Sequence, residues 1–194
     1  NNLFLIEDCS QAHGAEYDGK KVGSFGHLST WSFCQDKIIS TAGEGGMILT
    51  NRKKIYKYCS MKRNHGKKMS YLSNNINKFS YIHDDFGSNY RLTEIQSAIG
   101  LNQIDKIKTM LKTRRLNSKI LESIFRKHYD IFYIPVVPKN VKHAWYKYYV
   151  YISDNGLQKG FKRDKFLSLL KKAKINCFTG ACPEIYLENC FKKS

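Results

Sequence analysis

Residues 3–6, Leu-Phe-Leu-Ile, form an uninterrupted apolar run that is closed by two acids, Glu7 and Asp8. A strand apolar on both sides suits a parallel sheet with both faces covered, and it needs neighbouring strands on either side. That requirement constrains the fold to a layered α/β class. Because the run stands so close to Asn1, the chain is expected to be a piece of something longer.

The following pattern fits this class. Glycines at 14, 19, 23 and 26 mark a loop with about one helical turn, and "LSTWSF" (28–33) and "GMILT" (46–50) read as two further strands. "KKIYKYCSMKR" (53–63) has helical spacing, with Ile55, Cys59 and Tyr58 expected to face inward. Residues 64–88 are polar and predict a long loop of the kind that commonly carries function. A long helix is predicted from Thr93, where Thr93 and Gln96 form a capping box, to about residue 126. Its apolar stripe is Ile95, Ile99, Ile104, Ile107 and Leu111, and its length predicts a bend between two domains near residue 112. Beyond it, "HAWYKYYVYIS" (143–153) alternates as a strand does, and "RDKFLSLLKKA" (163–173) predicts a short amphipathic helix. Two domains are expected, residues 1–112 and 113–194, the second a smaller α+β piece.

Charge is the one unusual feature of the composition: 33 Lys+Arg against 16 Asp+Glu give +17. Such a surface favours anionic partners, but the basic residues are spread along the chain and match no nucleic-acid-binding pattern. A solvated lysine-rich surface is the simpler reading. The six cysteines contain no CxxC pair and no zinc-ligand spacing, which fits reduced thiols in a cytoplasmic protein. No apolar run approaches the roughly 18 residues of a membrane span.

The chemistry is concentrated in two segments. Ligands of open α/β sheets bind beyond the carboxyl ends of the strands. Asp8 ends the first strand and Ser32 to Lys37 end the second, so an acid and a lysine are expected at one crevice. Lys37 does not belong to a phosphate-binding GxxxxGK[ST] loop, because its glycines, "GEGG" (43–46), come after it and a strand follows. Taken alone, Asp8 and Lys37 favour the plainer reading, a structural ion pair or two unrelated solvated residues.

The wider pattern "IEDCSQAHGAEYDGKKVGSFGHLSTWSF..DK......GEGGM", with "FGSNYRLTEIQSAIGL", "HAWYKYYV" and "GACPEIYLE" after it, resembles the DegT/DnrJ/EryC1/StrS sugar aminotransferases of PLP fold type I. The resemblance extends over essentially all 194 residues. It implies the C-terminal portion of a pyridoxal-phosphate-binding large domain with a mainly parallel sheet, then the small domain. It also implies a homodimer with a shared site, a nucleotide-linked keto-sugar as substrate and an amino acid, glutamate, as donor. Lys37 would be the lysine joined covalently to pyridoxal 5'-phosphate, and an amine that adds to an aldehyde must be neutral when it does so. Asp8 would pair with the pyridine nitrogen, Gln11 would lie near the ring and its phenolic oxygen, and Ser32 would bind the phosphate. Asn89 would reach the phosphate of the neighbouring subunit's cofactor.

His65, in "RNHGKK", is a candidate substrate contact on the general enrichment of function in loops, and His13 and His83 are weaker ones. "GEGG" reads as a structural turn and the tyrosine-rich stretch at 145–151 as core. The family's dehydratases lack the lysine, so Lys37 argues against that branch. Its N-terminal glycine- and Ser/Thr-containing phosphate loop and ring-stacking aromatic cannot be located here, and the chain stops before the usual last helix. A non-catalytic remnant is therefore the competing reading, ahead of a basic nucleic-acid-binding module. Exposed sheet edges predict aggregation or dependence on a partner.

Overall fold

A computed structural model describes residues 2–68, 82–153, 162–180 and 184–193. Two compact units divide it, Asn1–Ser118 with Val137–Tyr146, and Lys119–Val136 with Lys147–Ser194.

In the first unit, β1 (Ile6–Asp8) pairs in parallel with β4 (Leu28–Ser32), in the register Ile6 to Leu28 and Asp8 to Thr30. The pairing strand begins later than the apolar run suggests. Leu3, Phe4 and Leu5 precede it, and all three side chains are exposed. The sheet is only partly parallel, because β5 (Gly46–Leu49) returns antiparallel along β4, with Ser32 opposite Gly46. The 13 residues between β4 and β5 that reverse the chain, 33–45, hold no helix, and a parallel return needs a crossover of a dozen or more residues, usually helical. A second small sheet joins β2 (Glu16–Tyr17) to β3 (Lys20–Lys21) and to β7 (Val141–Lys142), all antiparallel. There Glu16 faces Lys21 and Lys142 and pairs with both.

Glu7 holds the glycine loop in place. Its carboxylate accepts backbone N–H groups from Gly23 (2.6 Å), Phe25 (2.7 Å) and Gly26 (2.6 Å). Burial pushes its carboxyl up, but these three donors outweigh burial and hold it below the ordinary carboxylate value.

Helix α1 (Lys53–Arg63) has the predicted bounds, with Ile55 and Cys59 half-buried, but Tyr58 is exposed. Tyr58 instead lies along the helix surface, with the Lys62 ammonium 5.4 Å from its ring centre. Helix α2 (Glu94–Phe125) opens on the capping box: Thr93 Oγ1 accepts the Gln96 N–H, and Gln96 Oε1 accepts the Thr93 N–H (3.1 Å). The helix runs without interruption through residue 112, and the division between the two units falls within it, at Ser118 and Lys119. Of the predicted stripe, Leu111 is buried and Ile99 and Ile107 are half-buried, whereas Ile95 and Ile104 are exposed. Leu111 lies in the core cluster of Ala15, Ile38, Ala144 and Tyr146, with Ala12, Val22 and Ile107 packed around it.

Two arginines on α2 clamp the returning segment. Arg114 donates to the carbonyls of Trp145 (3.1 Å) and Tyr146 (3.0 Å), and Arg115 to those of His143 (3.3 Å) and Gly14 (3.2 Å). The predicted strand over 143–153 is therefore mostly not a strand. Its alternation is real, with Ala144 and Tyr146 buried, but its carbonyls at 143, 145 and 146 are taken by arginines rather than by a sheet neighbour.

The second unit has an aromatic core. Phe125 meets Phe132 edge-on (4.9 Å between ring centres) and stacks on Tyr148 (6.1 Å), while Phe132 also contacts Phe166 of α3 (Arg163–Lys172). Its two-stranded sheet pairs β6 (Phe132–Tyr133) with β8 (Tyr151–Ile152), and a short 3-10 turn (Arg126–His128) ends α2. Among the described residues no helix is long and apolar enough to cross a membrane. The described cysteines, Cys9, Cys34, Cys59, Cys177 and Cys190, are unpaired, and Cys182 lies outside the described residues.

Candidate active site

The parallel pairing of β1 with β4 carries both strands to the same end of the sheet, and Asp8 and Ser32 are the last residues of the two strands. Past Ser32 the chain turns tightly. The Cys34 N–H donates to Ser32 Oγ (3.3 Å) and the Lys37 N–H to the Cys34 carbonyl (3.0 Å). Immediately after Lys37, Ile38 and Ile39 are buried, 3% and 5% exposed. Burying two isoleucines fixes the backbone at the base of the lysine and leaves its side chain half-exposed.

The turn is closed from the other side by "GEGG". The Phe33 N–H donates to the Gly45 carbonyl (2.8 Å), and buried Thr41 donates from Oγ1 to the Glu44 carbonyl (3.2 Å). A side chain at 45 would run into Thr41 Oγ1, so close packing requires that glycine. The capping box of α2 also braces the turn, since Gln96 Nε2 donates to the Glu44 carbonyl (2.9 Å). Cys34 Sγ donates to Glu44 Oε1 (3.4 Å).

Asp8 is built to stay ionised. Its Oδ1 accepts the Ser10 hydroxyl (2.5 Å) and the Ser10 backbone N–H (3.0 Å). These donors hold its carboxyl below the ordinary value against the cost of burial, and the Lys37 charge makes the smallest contribution in the same direction as the donors. Gln11 is exposed on the loop between them and the small sheet.

Beneath this loop lies His13, only 2% exposed, with its ring centre 5.3 Å from that of Trp31 and 6.0 Å from that of Phe33. Burial is the main cause that lowers its pKa to about 4, and the Lys37 charge adds to it. The Ser32 backbone comes close enough to oppose this lowering, but its geometry leaves both ring nitrogens without a hydrogen bond among the described residues. The burial of His13, and the Lys37 charge that reaches it, are tertiary features that the sequence does not signal.

Asn89 and His65 form their own cluster. Asn89 bridges to Asn64 and accepts Arg91 Nε on Oδ1 (2.9 Å), while Arg91 lies 3.5 Å from His65 Nε2. His65 has a left-handed backbone (φ 57°) and is exposed. His83 is exposed as well, and residues 69–81 of the predicted loop lie outside the described residues.

Tyr146 is a residue that sequence reading placed in the core without a role. It is 8% exposed, its hydroxyl donates to Asp36 Oδ2, and the Lys37 ammonium stands 4.9 Å over its ring centre. The available signal is generic: a buried tyrosine hydroxyl needs a partner. Among the described residues no cluster of His, Cys, Asp or Glu is arranged to hold a metal ion.

The Asp8 carboxylate at the end of β1 and the Lys37 amine on the turn after β4 form a donor set that suits a group with a cationic ring nitrogen and an aldehyde. Comparison with known proteins agrees with that chemistry. The DegT/DnrJ/EryC1/StrS aminotransferase family profile matches residues 1–192. The GDP-perosamine synthase of Escherichia coli O157:H7 is 38% identical over 139 residues, covering 68% of this chain and 36% of that protein. A UDP-4-amino-4,6-dideoxy-N-acetyl-beta-L-altrosamine transaminase of Campylobacter jejuni is 37% identical over 130 residues, covering 66% of this chain and 32% of its own length. The crystal structure of an aminotransferase from Psychrobacter cryohalolentis superposes with a TM-score of 0.89 at 36% identity, over 98% of this chain and 50% of that one. The chain spans a third to a half of the length of these relatives.

Proposed function

The chain belongs to the DegT/DnrJ/EryC1/StrS aminotransferase family, whose members depend on pyridoxal phosphate, and on that premise we propose that it carries the lysine side of a sugar aminotransferase site. The reaction is amino transfer from an amino acid, glutamate, to a nucleotide-linked keto-sugar, yielding an amino sugar for polysaccharide synthesis. The observation that carries the reading is geometric: the parallel pairing of β1 with β4 brings Asp8 and Ser32 to one end of the sheet, and the turn that bears Lys37 follows directly from that end.

Pyridoxal phosphate, when bound, supplies an electron sink for the carbanion at the amino-acid α-carbon. Asp8, already ionised, holds a proton at the pyridine nitrogen. Lys37 Nζ would hold the cofactor at its aldehyde carbon and, once displaced by the incoming amine, would move a proton between the substrate carbon and that former aldehyde carbon. Ser32 Oγ donates to the phosphate, and Gln11 orients the ring from its phenolic side. Asn89 serves the phosphate of a second subunit in a homodimer, and His65 contacts the sugar substrate. The location is the cytoplasm, and the chain's +17 charge suits an anionic nucleotide-sugar.

Pyridoxal phosphate titration of the chain, then borohydride reduction and peptide mapping, tests this. One reduced adduct on Lys37, lost in Lys37→Ala and discharged by glutamate before reduction, is expected. Labelling scattered over surface lysines, unchanged in Lys37→Ala, would leave the competing reading of a non-catalytic remnant.

A further inference from the structure

Tyr146 touches both neighbours at the reactive end of the 34–37 turn. Its hydroxyl donates to the Asp36 carboxylate, and its ring face lies 4.9 Å from the Lys37 ammonium. Cations within about 6 Å of a ring centre are held by the ring's electron-rich face. The ring itself has little freedom. It is buried in the cluster of Ala15, Ile38, Leu111 and Ala144, and Arg114 fixes its backbone carbonyl (3.0 Å) and that of Trp145 (3.1 Å). Ile38, the residue after the lysine, packs in that same cluster. One core therefore fixes both the base of the lysine and the surface on which its charged end rests.

We propose that Tyr146 is a positioning residue for Lys37: its ring face docks the ammonium in the resting chain, and its hydrogen bond to Asp36 fixes the angle of that face. Docking of the cation holds the amine at one place against the ring and shields it there, until a group that competes for the amine draws it off. The proposal rests on the reading of Lys37 as the reactive amine.

The test uses the unloaded full chain and an amine-directed acylating reagent at fixed pH, with each lysine followed by peptide mass spectrometry. Tyr146 is replaced by phenylalanine, then by mono-, di- and trifluorinated phenylalanines, which keep the ring's shape and drain its face of charge. Lys37 acylation is expected to rise stepwise with fluorination to about two- to fivefold above the phenylalanine chain, the size of one exposed cation–ring contact. Lys20 and Lys142 serve as references and should not move. A core-filling role predicts a flat series, because packing is the same throughout, and a flat or falling series would overturn the proposal. Tyr146→Leu should match or exceed the trifluorinated chain. A rate equal to that of the phenylalanine chain would also overturn the proposal. Because no cofactor is present, a rising series stands even if borohydride mapping later finds no adduct on Lys37. That outcome would remove the aminotransferase reading and leave the docking.

Discussion

Acid should destabilise this chain well before its carboxylates are protonated, and His13 is the reason. An ordinary histidine titrates near 6.5, and burial against Trp31 and Phe33, with the Lys37 charge nearby, brings His13 to about 4. The folded state therefore holds the ring neutral, while the unfolded chain takes up a proton below 6.5. Stability is unaffected above that value, declines as pH falls from 6.5 towards 4, and levels off below. At about 1.4 kcal/mol for each pH unit between the two values, the whole loss is at most about 3.5 kcal/mol. Roughly 2 kcal/mol of it should fall between about pH 7 and pH 4.5.

Denaturant titrations of the chain and of His13→Phe over that range make the comparison. The substitution keeps an aromatic ring beside Trp31 and Phe33 and removes two nitrogens that have no hydrogen bond. Wild type should lose about 2 kcal/mol more than the variant. His143, also lowered by burial, titrates in both chains and cancels. Equal losses, or a His13 ring resonance that titrates near its ordinary value, would refute the reasoning.

Two further predictions concern folding. Glu7→Gln removes the charge that gathers three backbone N–H groups and should cost about 1–3 kcal/mol in urea-unfolding midpoints, the range for hydrogen bonds to a charged acceptor. Thr93→Ala opens the capping box of α2 and should cost about 1 kcal/mol, read as a lower thermal midpoint, while Thr93→Ser should recover most of it.

The local elements were legible where one side chain decides them. Thr93 and Gln96 marked the start of α2 and Lys53 to Arg63 marked α1, because capping and helical periodicity are properties of adjacent residues. The α/β class was legible in the succession of short apolar strands and periodic helices, although Leu3, Phe4 and Leu5 lie outside the paired strand; the antiparallel return of β5 was not, since strand direction depends on the connection rather than on the strand. Residues 143–150 misled for a related reason. Alternation records which side faces inward, not what the backbone bonds to, and Arg114 and Arg115 lie about 30 positions away in sequence.

The site was partly legible. Asp8, Ser32 and Lys37 stood at predicted strand ends, where ligands of such sheets bind. Tyr146 and the isolation of His13 depend on tertiary burial, and no spacing encodes that. The cluster of Asn89 with His65 needed Arg91 between them, a contact across the predicted loop.

The pair Ile38 and Ile39 has a mechanical consequence. With its root sunk in the core, Lys37 behaves as a boom on a fixed mast: only its four-carbon stem can swing, and the tip sweeps a short arc from a stationary pivot. A pivot of this kind narrows the space the amine explores, compared with a lysine carried on a loose loop. It also means that shaving a single methylene from either isoleucine should loosen the pivot and blur the arc, without changing Lys37, Asp8 or Tyr146.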